Sequence, residues 1–253
     1  MCSRSVHRQP WYVEFFSSPA SLWLGAFPDQ AVSQQEAQQI AELIELRPGL
    51  SVADVPCGPG RHLVYWARMG CRVVGVDISP MMIERAKALV NAFGVEVLLV
   101  RGCMERLPLQ SCAFDAILSL FNSFGYLPDD EANAHVVKEA ARVLKPMGIF
   151  LLDTRNPVVQ ILCAPYGEEV FTPDGRCFVA RASYDLATKR LNVRWDEVGT
   201  TTRFVASIRL YSLEELTAMF HDAGLSVEGV YGDFHGRPFD KASAQMILVG
   251  RKR

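Results

Sequence analysis

Short apolar runs alternate with amphipathic stretches along the first part of the chain. The apolar runs predict five strands, at 50–55, 72–76, 95–100, 114–120 and 149–153. Before and between them, apolar residues recur at helical spacing and predict helices at 29–47, 62–69, 80–93 and 129–144. Nearly continuous apolar strands are typical of a parallel sheet that helices cover on both faces. Residues 29–153 therefore predict an α/β core.

The pattern changes after residue 154. β-rich runs at 178–184, 191–198 and 203–210 follow one another without a helical stretch, which predicts an antiparallel insertion. A helix is predicted again at 212–223, because Ser212 and Glu215 have the spacing of a capping box. Two closing strands are predicted at 226–231 and 244–250.

The charge balance argues against polyanionic partners. The 253 residues contain 26 Lys and Arg against 28 Asp and Glu, a formal net charge of −2, so no overall positive field attracts nucleic acid or an anionic membrane. No apolar run approaches the roughly 20 residues of a spanning helix, and the polar start lacks the apolar stretch of a signal peptide. We therefore predict a cytoplasmic protein that binds neither nucleic acid nor membrane.

The spacing of cysteine and histidine predicts no structural metal. The seven cysteines are scattered without a Cys-x-x-Cys pair, and the five histidines lack zinc-ligand spacing. Reduced thiols and no metal are the expectation.

A glycine-rich turn, Asp54-Val-Pro-Cys-Gly58-Pro-Gly60, follows the first strand and precedes a helix. Glycine lets the backbone approach a ligand closely, and a helix N-terminus offers free N–H groups. A P-loop is excluded because no Gly-Lys-Ser/Thr follows, and the dinucleotide fingerprint of a dehydrogenase fails because Leu63 occupies the third glycine position. A ligand-binding turn and a plain strand-to-helix turn both remain open.

An acidic residue ends the second strand, since Asp77 stands 17 positions after Gly60. A carboxylate at this strand tip can accept both hydroxyls of a ribose. The alternative is a helix cap, which Asp77 or Ser79 would provide for the helix that begins at Pro80. The turn and the acidic residue together indicate a nucleoside site.

Five ordered segments resemble the motifs of class I S-adenosylmethionine-dependent methyltransferases. They are Asp54-x-x-Cys57-Gly58-x-Gly60-Arg61, Val74-Gly75-Val76-Asp77-Ile78-Ser79, Gly102 through Leu107-Pro108, Phe114-Asp115-Ala116-Ile117 and Val143-Leu144-Lys145-Pro146-x-Gly148. Looser matches at 11–16, 120–126 and 210–216 resemble a bacterial subgroup that acts on small molecules. The resemblance implies a Rossmann-like seven-stranded sheet whose last strand is antiparallel, with helices on both faces and the antiparallel β insertion before the last two strands.

The resemblance assigns a set of residues to the cofactor, S-adenosylmethionine: Tyr12, Asp54, Cys57, Gly58, Gly60, Arg61, Asp77, Ile78, Cys103, Met104 and Leu120. It implies that Asp54 lies near the ammonium group of the methionine moiety and that Asp77 binds the ribose hydroxyls. Leu120, at the tip of the fourth strand, would lie beneath the sulfonium. Cys103 stands where the family often has aspartate, so Glu105 or water is expected to accept from the adenine amino group.

Candidate acceptor residues follow the strand tips, where ligands bind in open α/β sheets. Asn122 and Tyr126 are predicted to position the acceptor, with ordinary loop hydrogen bonding as the alternative. His235 is a candidate general base or a loop residue without a role. Three residues are candidates to bind a substrate carboxylate or another anionic group, namely Arg155, Asn156 and Arg209. Their alternatives are an ion pair at a domain seam and a solvated strand face.

We divide the chain into an N-terminal aromatic lid segment (1–28), a cofactor-binding α/β core (29–153), an antiparallel β insertion that caps the substrate (154–210) and the C-terminal part of the core (211–253). The aromatic stretch at 11–16 either covers the cofactor or docks on the core.

The expected function is methyl transfer by in-line displacement from S-adenosylmethionine to an N, O or C atom of a small molecule. The product is S-adenosylhomocysteine, and a monomer or homodimer is expected. One alternative is a cyclase or lyase on the same fold, which would release methylthioadenosine. The other is a non-catalytic module that only binds the cofactor.

Overall fold

The order of helices and strands follows the sequence pattern. The computed structural model describes residues 10–18, 27–164, 166–172 and 174–253. Helix α1 (Trp11–Phe16) precedes a core of strands β1 (Ser51–Asp54), β2 (Arg72–Asp77), β3 (Leu98–Arg101), β4 (Phe114–Ser119) and β5 (Leu144–Arg155) with helices α2 (Gln30–Leu43), α3 (Leu63–Arg68), α4 (Pro80–Phe93) and α5 (Asp130–Val143). Then follow α6 (Pro157–Cys163), β6 (Tyr166–Phe171), β7 (Cys177–Asp185), β8 (Arg190–Glu197), β9 (Arg203–Arg209), α7 (Leu213–Asp222), β10 (Leu225–Tyr231) and β11 (Gln245–Lys252).

The larger sheet has seven strands in the order β10-β11-β5-β4-β1-β2-β3. Strands β1 to β5 pair in parallel, whereas β11 is antiparallel to both β5 and β10. The prediction of a seven-stranded sheet with an antiparallel last strand is confirmed. Because β1, β2, β4 and β5 run in one direction, their carboxyl ends meet along a single edge, which is where ligands bind in such sheets.

Helix boundaries are set by side-chain caps that the sequence displays. Asp29, Ser79 and Asp129 each accept a hydrogen bond from the backbone N–H three residues later, at the starts of α2, α4 and α5. Ser212 and Glu215 form the predicted capping box of α7. These caps fix where the helices start beneath the loops of the site.

The core consists of two apolar layers, one on each face of the larger sheet. Along β1, Val52 packs into one layer and its neighbour Ala53 into the other, because successive strand residues face opposite sides. Trp66 of α3 belongs to the first layer, and Phe220 of α7 to the second. Both faces are therefore covered by helices, as the apolar strands predict. Among the described helices, none is long and apolar enough to cross a membrane.

The second sheet is antiparallel, in the order β6-β7-β8-β9. One of its faces is apolar, and Leu191, Val193 and Ile208 pack there against Trp11 and Tyr126. Two elements were not predicted, the edge strand β6 and the helix α6 that joins β5 to this sheet. The predicted antiparallel insertion is confirmed, and its apolar face turns toward the core.

Arg209, predicted to contact an anionic substrate, instead joins the second sheet to the core. Its side chain is 6% exposed, and its Nε lies 3.1 Å from Asp130 Oδ1 of α5 and its Nη2 2.7 Å from Glu215 Oε1 of α7. Tyr211 donates to the same Asp130 carboxylate at 2.7 Å. The prediction of a substrate contact is therefore wrong, because both carboxylate partners of Arg209 belong to the protein.

Replacing Arg209 by methionine should destabilise the fold and leave donor binding unchanged. Removing one partner of a buried ion pair costs about 3–5 kcal/mol. Because the side chain of Asp130 is 60% exposed, we expect the free energy of unfolding to fall by about 2–3 kcal/mol, at or below the lower limit of that range. Urea unfolding measures it. The matched control is Arg203→Met, whose exposed ion pair with Asp196 contributes less than about 1 kcal/mol. Equal losses in the two variants would contradict this role.

Candidate active site

A pocket lies at the carboxyl edge of the larger sheet, beneath the second sheet and beside α1. It is a cavity of about 320 Å³. Most of the predicted site residues line it: Tyr12, Asp54, Cys57, Gly58, Arg61, Asp77, Ile78, Met104, Leu120, Asn122, Tyr126 and Arg155. Residues at or after the ends of β1, β2, β4 and β5 thus line the same cavity.

The turn after β1 is anchored to the end of β2 by Asp77. The two oxygens of this carboxylate accept from the backbone N–H groups of Gly58, at 2.9 Å, and Ser79, at 2.8 Å. Gly60 does not line the pocket, but its φ is +79° and a Cβ there would lie 2.9 Å from the Cβ of Ala86. Gly60 therefore shapes the site through close packing against α4.

Two buried carboxyl groups, Asp54 and Asp77, lie in the pocket lining. Asp54 is 2% exposed, and its Oδ1 has no hydrogen-bond partner among the described residues. Burial raises the pKa of Asp54 to about 8. Burial likewise raises the pKa of Asp77 to about 6, against the opposing effect of the N–H groups that it accepts. An unpaired carboxylate of this kind fits a ligand that carries an ammonium group.

Glu36 of α2 holds two neighbouring residues of the turn. Its carboxylate accepts from the Arg61 guanidinium and pairs with His62 Nε2 at 3.1 Å. Burial lowers the pKa of His62 to about 4, so the imidazole is neutral near pH 7. Although burial raises the pKa of Glu36, the bonds from His62 and Arg61 lower it on balance. Glu36 was not among the predicted site residues, because it lies in a polar helix and contacts Arg61 and His62 only in the folded chain.

The tip of β4 has an unusual backbone. Phe121 and Asn122 both line the pocket and have φ values of 56° and 58°, in the left-handed region. Each such residue costs about 1–3 kcal/mol and persists where the surroundings hold it. The Phe121 ring lies between Phe27, at 5.4 Å, and the Arg61 guanidinium, at 5.0 Å, while its N–H donates to Asp153 Oδ2 at 2.9 Å. Asp153 is a site residue that the sequence analysis missed.

Helix α1 lies between the core and the second sheet. Its C-terminal carbonyl, on Phe16, accepts from Ser79 Oγ at 2.6 Å. On the other side, the Phe15 ring lies 5.4 Å from Trp195 of β8. Trp11 is 4.9 Å from Tyr126. The lid remains a prediction, and residues 1–9 and 19–26 of that segment lie outside the described part of the chain.

Cys103, which stands where the family often has aspartate, and the nearby Glu105 are not in the pocket lining. Cys103 does not line the cavity, and its Sγ lies 3.9 Å from the carbonyl oxygen of Arg106. Glu105, the expected substitute acceptor, accepts from the hydroxyl of Tyr12 at 3.4 Å. Burial and the charge of Glu105 raise the pKa of Tyr12 to about 12, so this phenol is neutral. The predicted contact of Cys103 with the cofactor is not supported by this placement.

Aromatic, aliphatic and hydrogen-bond-donating side chains line the part of the pocket between α1, the β4 tip and the second sheet, which we call the acceptor half. It consists of Trp11, Phe15, Phe16, Phe121, Asn122, Ser123, Tyr126, Arg155, Trp195, Ala206 and Ile208. Trp11 Nε1 and Arg155 Nε are buried and have no partner among the described residues. None of these residues carries a carboxylate or an imidazole. The imidazole of His62 also belongs to the pocket lining, but it is buried and bonded to Glu36. The acceptor half therefore contains several donors and the Arg155 guanidinium, and the Arg61 guanidinium lies 5.0 Å from its Phe121 ring.

Two predicted acceptor residues lie elsewhere. Asn156 is fully buried, where its Oδ1 accepts from Val158 N at the start of α6 and its Nδ2 donates to backbone oxygens, that of Ser243 at 2.7 Å. His235 is exposed and lies 3.2 Å from Gln39 Nε2, outside the pocket lining. Neither prediction is supported, because Asn156 caps α6 and His235 lies in the loop after β10, against Gln39 of α2.

Comparison with known proteins finds similar methyltransferases. Residues 52–148 match the family model of a methyltransferase domain. A cypemycin N-terminal methyltransferase from Streptomyces sp is 28% identical over 205 residues, which are 79% of this chain and 82% of that protein. A dTDP-3-amino-3,4,6-trideoxy-alpha-D-glucopyranose N,N-dimethyltransferase from Streptomyces venezuelae is 29% identical over 226 residues, which are 85% of this chain and 92% of that protein.

A solved structure shares the fold of this chain. It is S-adenosylmethionine-bound CalS10, an amino pentose methyltransferase from Micromonospora echinaspora. The two structures superpose with a TM-score of 0.66 at 22% identity, over 92% of this chain and 96% of that one.

Proposed function

We propose that this chain, which belongs to the class I S-adenosylmethionine-dependent methyltransferases, methylates an amine nitrogen of a small molecule that also carries an anionic group. When bound, S-adenosylmethionine supplies an activated methyl group. In this proposal Asp54 accepts from the ammonium group of the donor and Asp77 from its ribose hydroxyls. Ile78 and Met104 contact the adenine, as their positions in the pocket lining allow.

The composition of the acceptor half is the observation that supports nitrogen as the atom that receives the methyl group. An alcohol or phenol needs a base to take its proton during attack, whereas a neutral amine attacks with its own lone pair. The described residues of the acceptor half include no carboxylate or imidazole to act as that base. The charge of Arg155 also disfavours the protonated form of a nearby amine. Both effects favour an amine acceptor.

Arg155 is the reason for proposing that the acceptor molecule carries an anionic group. Its Nε is buried without a partner, and it forms no ion pair within the described ranges. A planar guanidinium in this state suits a carboxylate or phosphate. Asn122 and Tyr126 are proposed to position the amine. The relatives named for N-terminal and amino-sugar methylation support the same acceptor class.

Transfer to a second molecule is supported over cyclisation of the donor. The pocket extends from Leu120 past Tyr126 to Ala206 and Ile208 of β9, so its lining includes residues of the second sheet beyond those assigned to the donor. A cyclase would need only the donor. The product therefore distinguishes the two reactions.

The experiment uses S-adenosylmethionine labelled on its methyl group and a panel of small amines, alcohols and phenols. Acidic amines, such as amino acids and amino-sugar nucleotides, are compared with their hydroxy analogues. We expect label on nitrogen and one S-adenosylhomocysteine for each methyl transferred. Methylthioadenosine from the donor alone, or label on oxygen only, would overturn the proposal.

Replacing Arg155 by methionine should raise KM for the acidic amine and leave donor binding intact. Losing a hydrogen bond to a charged group costs about 1.5–3 kcal/mol, so KM should rise about 10-fold to 100-fold. A neutral ester or amide of the same amine should show little change between the wild type and the variant. Steady-state kinetics measures both. An equal rise in KM for the acidic and the neutral acceptors would show that Arg155 does not bind the anionic group.

A further inference from the structure

The left-handed turn at the tip of β4 requires something to hold it. Phe121 and Asn122 are consecutive residues with φ values of 56° and 58°. For a bulky residue such as Phe121 this conformation is rare, since the side chain crowds the backbone. The turn is also where the pocket lining passes from Leu120, below the donor, to Asn122 in the acceptor half. Its conformation decides where the Asn122 carboxamide lies.

Asp153, near the end of β5, makes the polar contact that fixes this turn. Its side chain is 1% exposed, and its Oδ2 accepts from the backbone N–H of Phe121 at 2.9 Å. Its Oδ1 accepts from Gln245 Nε2 of β11 at 3.2 Å. Asp153 does not itself line the pocket. It is therefore placed to act on the site through the backbone of Phe121 and not by touching a ligand.

We propose that Asp153 is a positioning residue of the methyl transfer, which holds the Phe121–Asn122 turn so that the Asn122 carboxamide faces the acceptor. The proposal rests on the proposed function in one respect, that Asn122 contacts the acceptor. The donor end of the pocket is held separately, through Asp77 and its bond from Gly58. Loss of the Asp153 contact should therefore lower the transfer rate and leave donor affinity unchanged.

The test is Asp153→Asn, which keeps the size of the side chain and replaces one accepting oxygen by an amide nitrogen that can only donate. We expect kcat to fall about 10-fold to 100-fold, the effect of a displacement near 1 Å. The dissociation constant of S-adenosylmethionine should change by less than about threefold. Amide hydrogen exchange at Phe121 should be faster than in the wild type. Gln245→Leu is the matched control, because it removes the other partner of Asp153 and leaves the Phe121 bond in place.

A double-mutant cycle with Asn122→Ala separates positioning from general stability. If Asp153 acts through Asn122, then Asp153→Asn should lower kcat much less in a protein that already carries Asn122→Ala. Additive losses in kcat would overturn the proposal. A fall in donor affinity as large as the fall in kcat would also overturn it, because that result indicates a general disturbance of the pocket.

Two further readouts keep the proposal testable if activity is lost. Glycine adopts the left-handed conformation without strain. Asp153→Asn should therefore lower the melting temperature less in a Phe121→Gly background than in the wild type, and an equal loss in both would contradict the proposed role. Failure of the proposed function would appear differently, as no transfer to any amine by the wild type. Unchanged amide exchange at Phe121 in Asp153→Asn would refute the role of Asp153 alone.

Discussion

Replacing Asp77 by alanine is expected to weaken the binding of S-adenosylmethionine by about 100-fold or more. In the proposed complex its carboxylate accepts from both ribose hydroxyls, and each hydrogen bond to a charged group contributes about 1.5–3 kcal/mol. The same carboxylate already accepts from Gly58 and Ser79, so its loss also releases the turn after β1. Isothermal titration calorimetry measures the change in affinity.

The matched control for this variant is Asp222→Ala, since Asp222 is an exposed carboxylate on α7, outside the pocket. It removes the same charge and should leave donor affinity unchanged. Thermal unfolding of both variants shows whether the fold is retained. Donor binding that Asp77→Ala leaves within about threefold of the wild type would contradict the ribose contact.

The affinity for S-adenosylmethionine should rise with pH between about 6 and 7.5, and Asp54→Asn should abolish most of this rise. Burial raises the pKa of Asp54 to about 8, so in the free protein this carboxyl is mainly protonated below that pH. Accepting from the donor ammonium requires the ionised form, and binding then releases a proton. By linkage the affinity increases up to about tenfold per pH unit until the pKa is reached.

The pH window is bounded on both sides. Below about pH 6 the carboxyl of Asp77 also becomes protonated, because burial raises its pKa to about 6. Above about pH 7.7 the α-amino group of the donor begins to lose its own proton. Calorimetry in two buffers of different ionisation enthalpy counts the protons released. A pH-independent affinity in the wild type, or the same slope in Asp54→Asn, would contradict the ammonium contact.

Much of the fold follows from local signals in the sequence. The apolar strands, the capping residues Ser79 and Ser212 and the terminating Gly94 set element boundaries close to those observed. Strand β6 was missed because it is an exposed edge strand that pairs only with β7 and so needs little apolar pattern. Helix α6 was missed because none of its residues is buried, which leaves no amphipathic signal.

The residues that line the pocket beside β1 and β2 could be predicted from the sequence, whereas much of the lining near β5 and the second sheet could not. Residues near Asp54 and Asp77 form contiguous motifs, and the backbone that carries them is local. Asp153 acts on Phe121 across 32 positions, and Glu36 on Arg61 across 25, so their roles exist only in the folded chain. Whether a residue near a strand end lines the pocket depends on the direction of its side chain. Its position in the sequence does not determine that direction.

Calorimetric titration of the protein with S-adenosylmethionine, and separately with S-adenosylhomocysteine, tests the central claim most directly, because it requires no knowledge of the acceptor. Both compounds should bind one site with dissociation constants of about 1–10 μM or tighter, corresponding to about −7 to −8 kcal/mol. The thioether product lacks the positive charge of the sulfonium but keeps the ammonium and ribose groups that Asp54 and Asp77 are proposed to bind. Binding of neither compound would contradict the assignment of this pocket to the methyl donor.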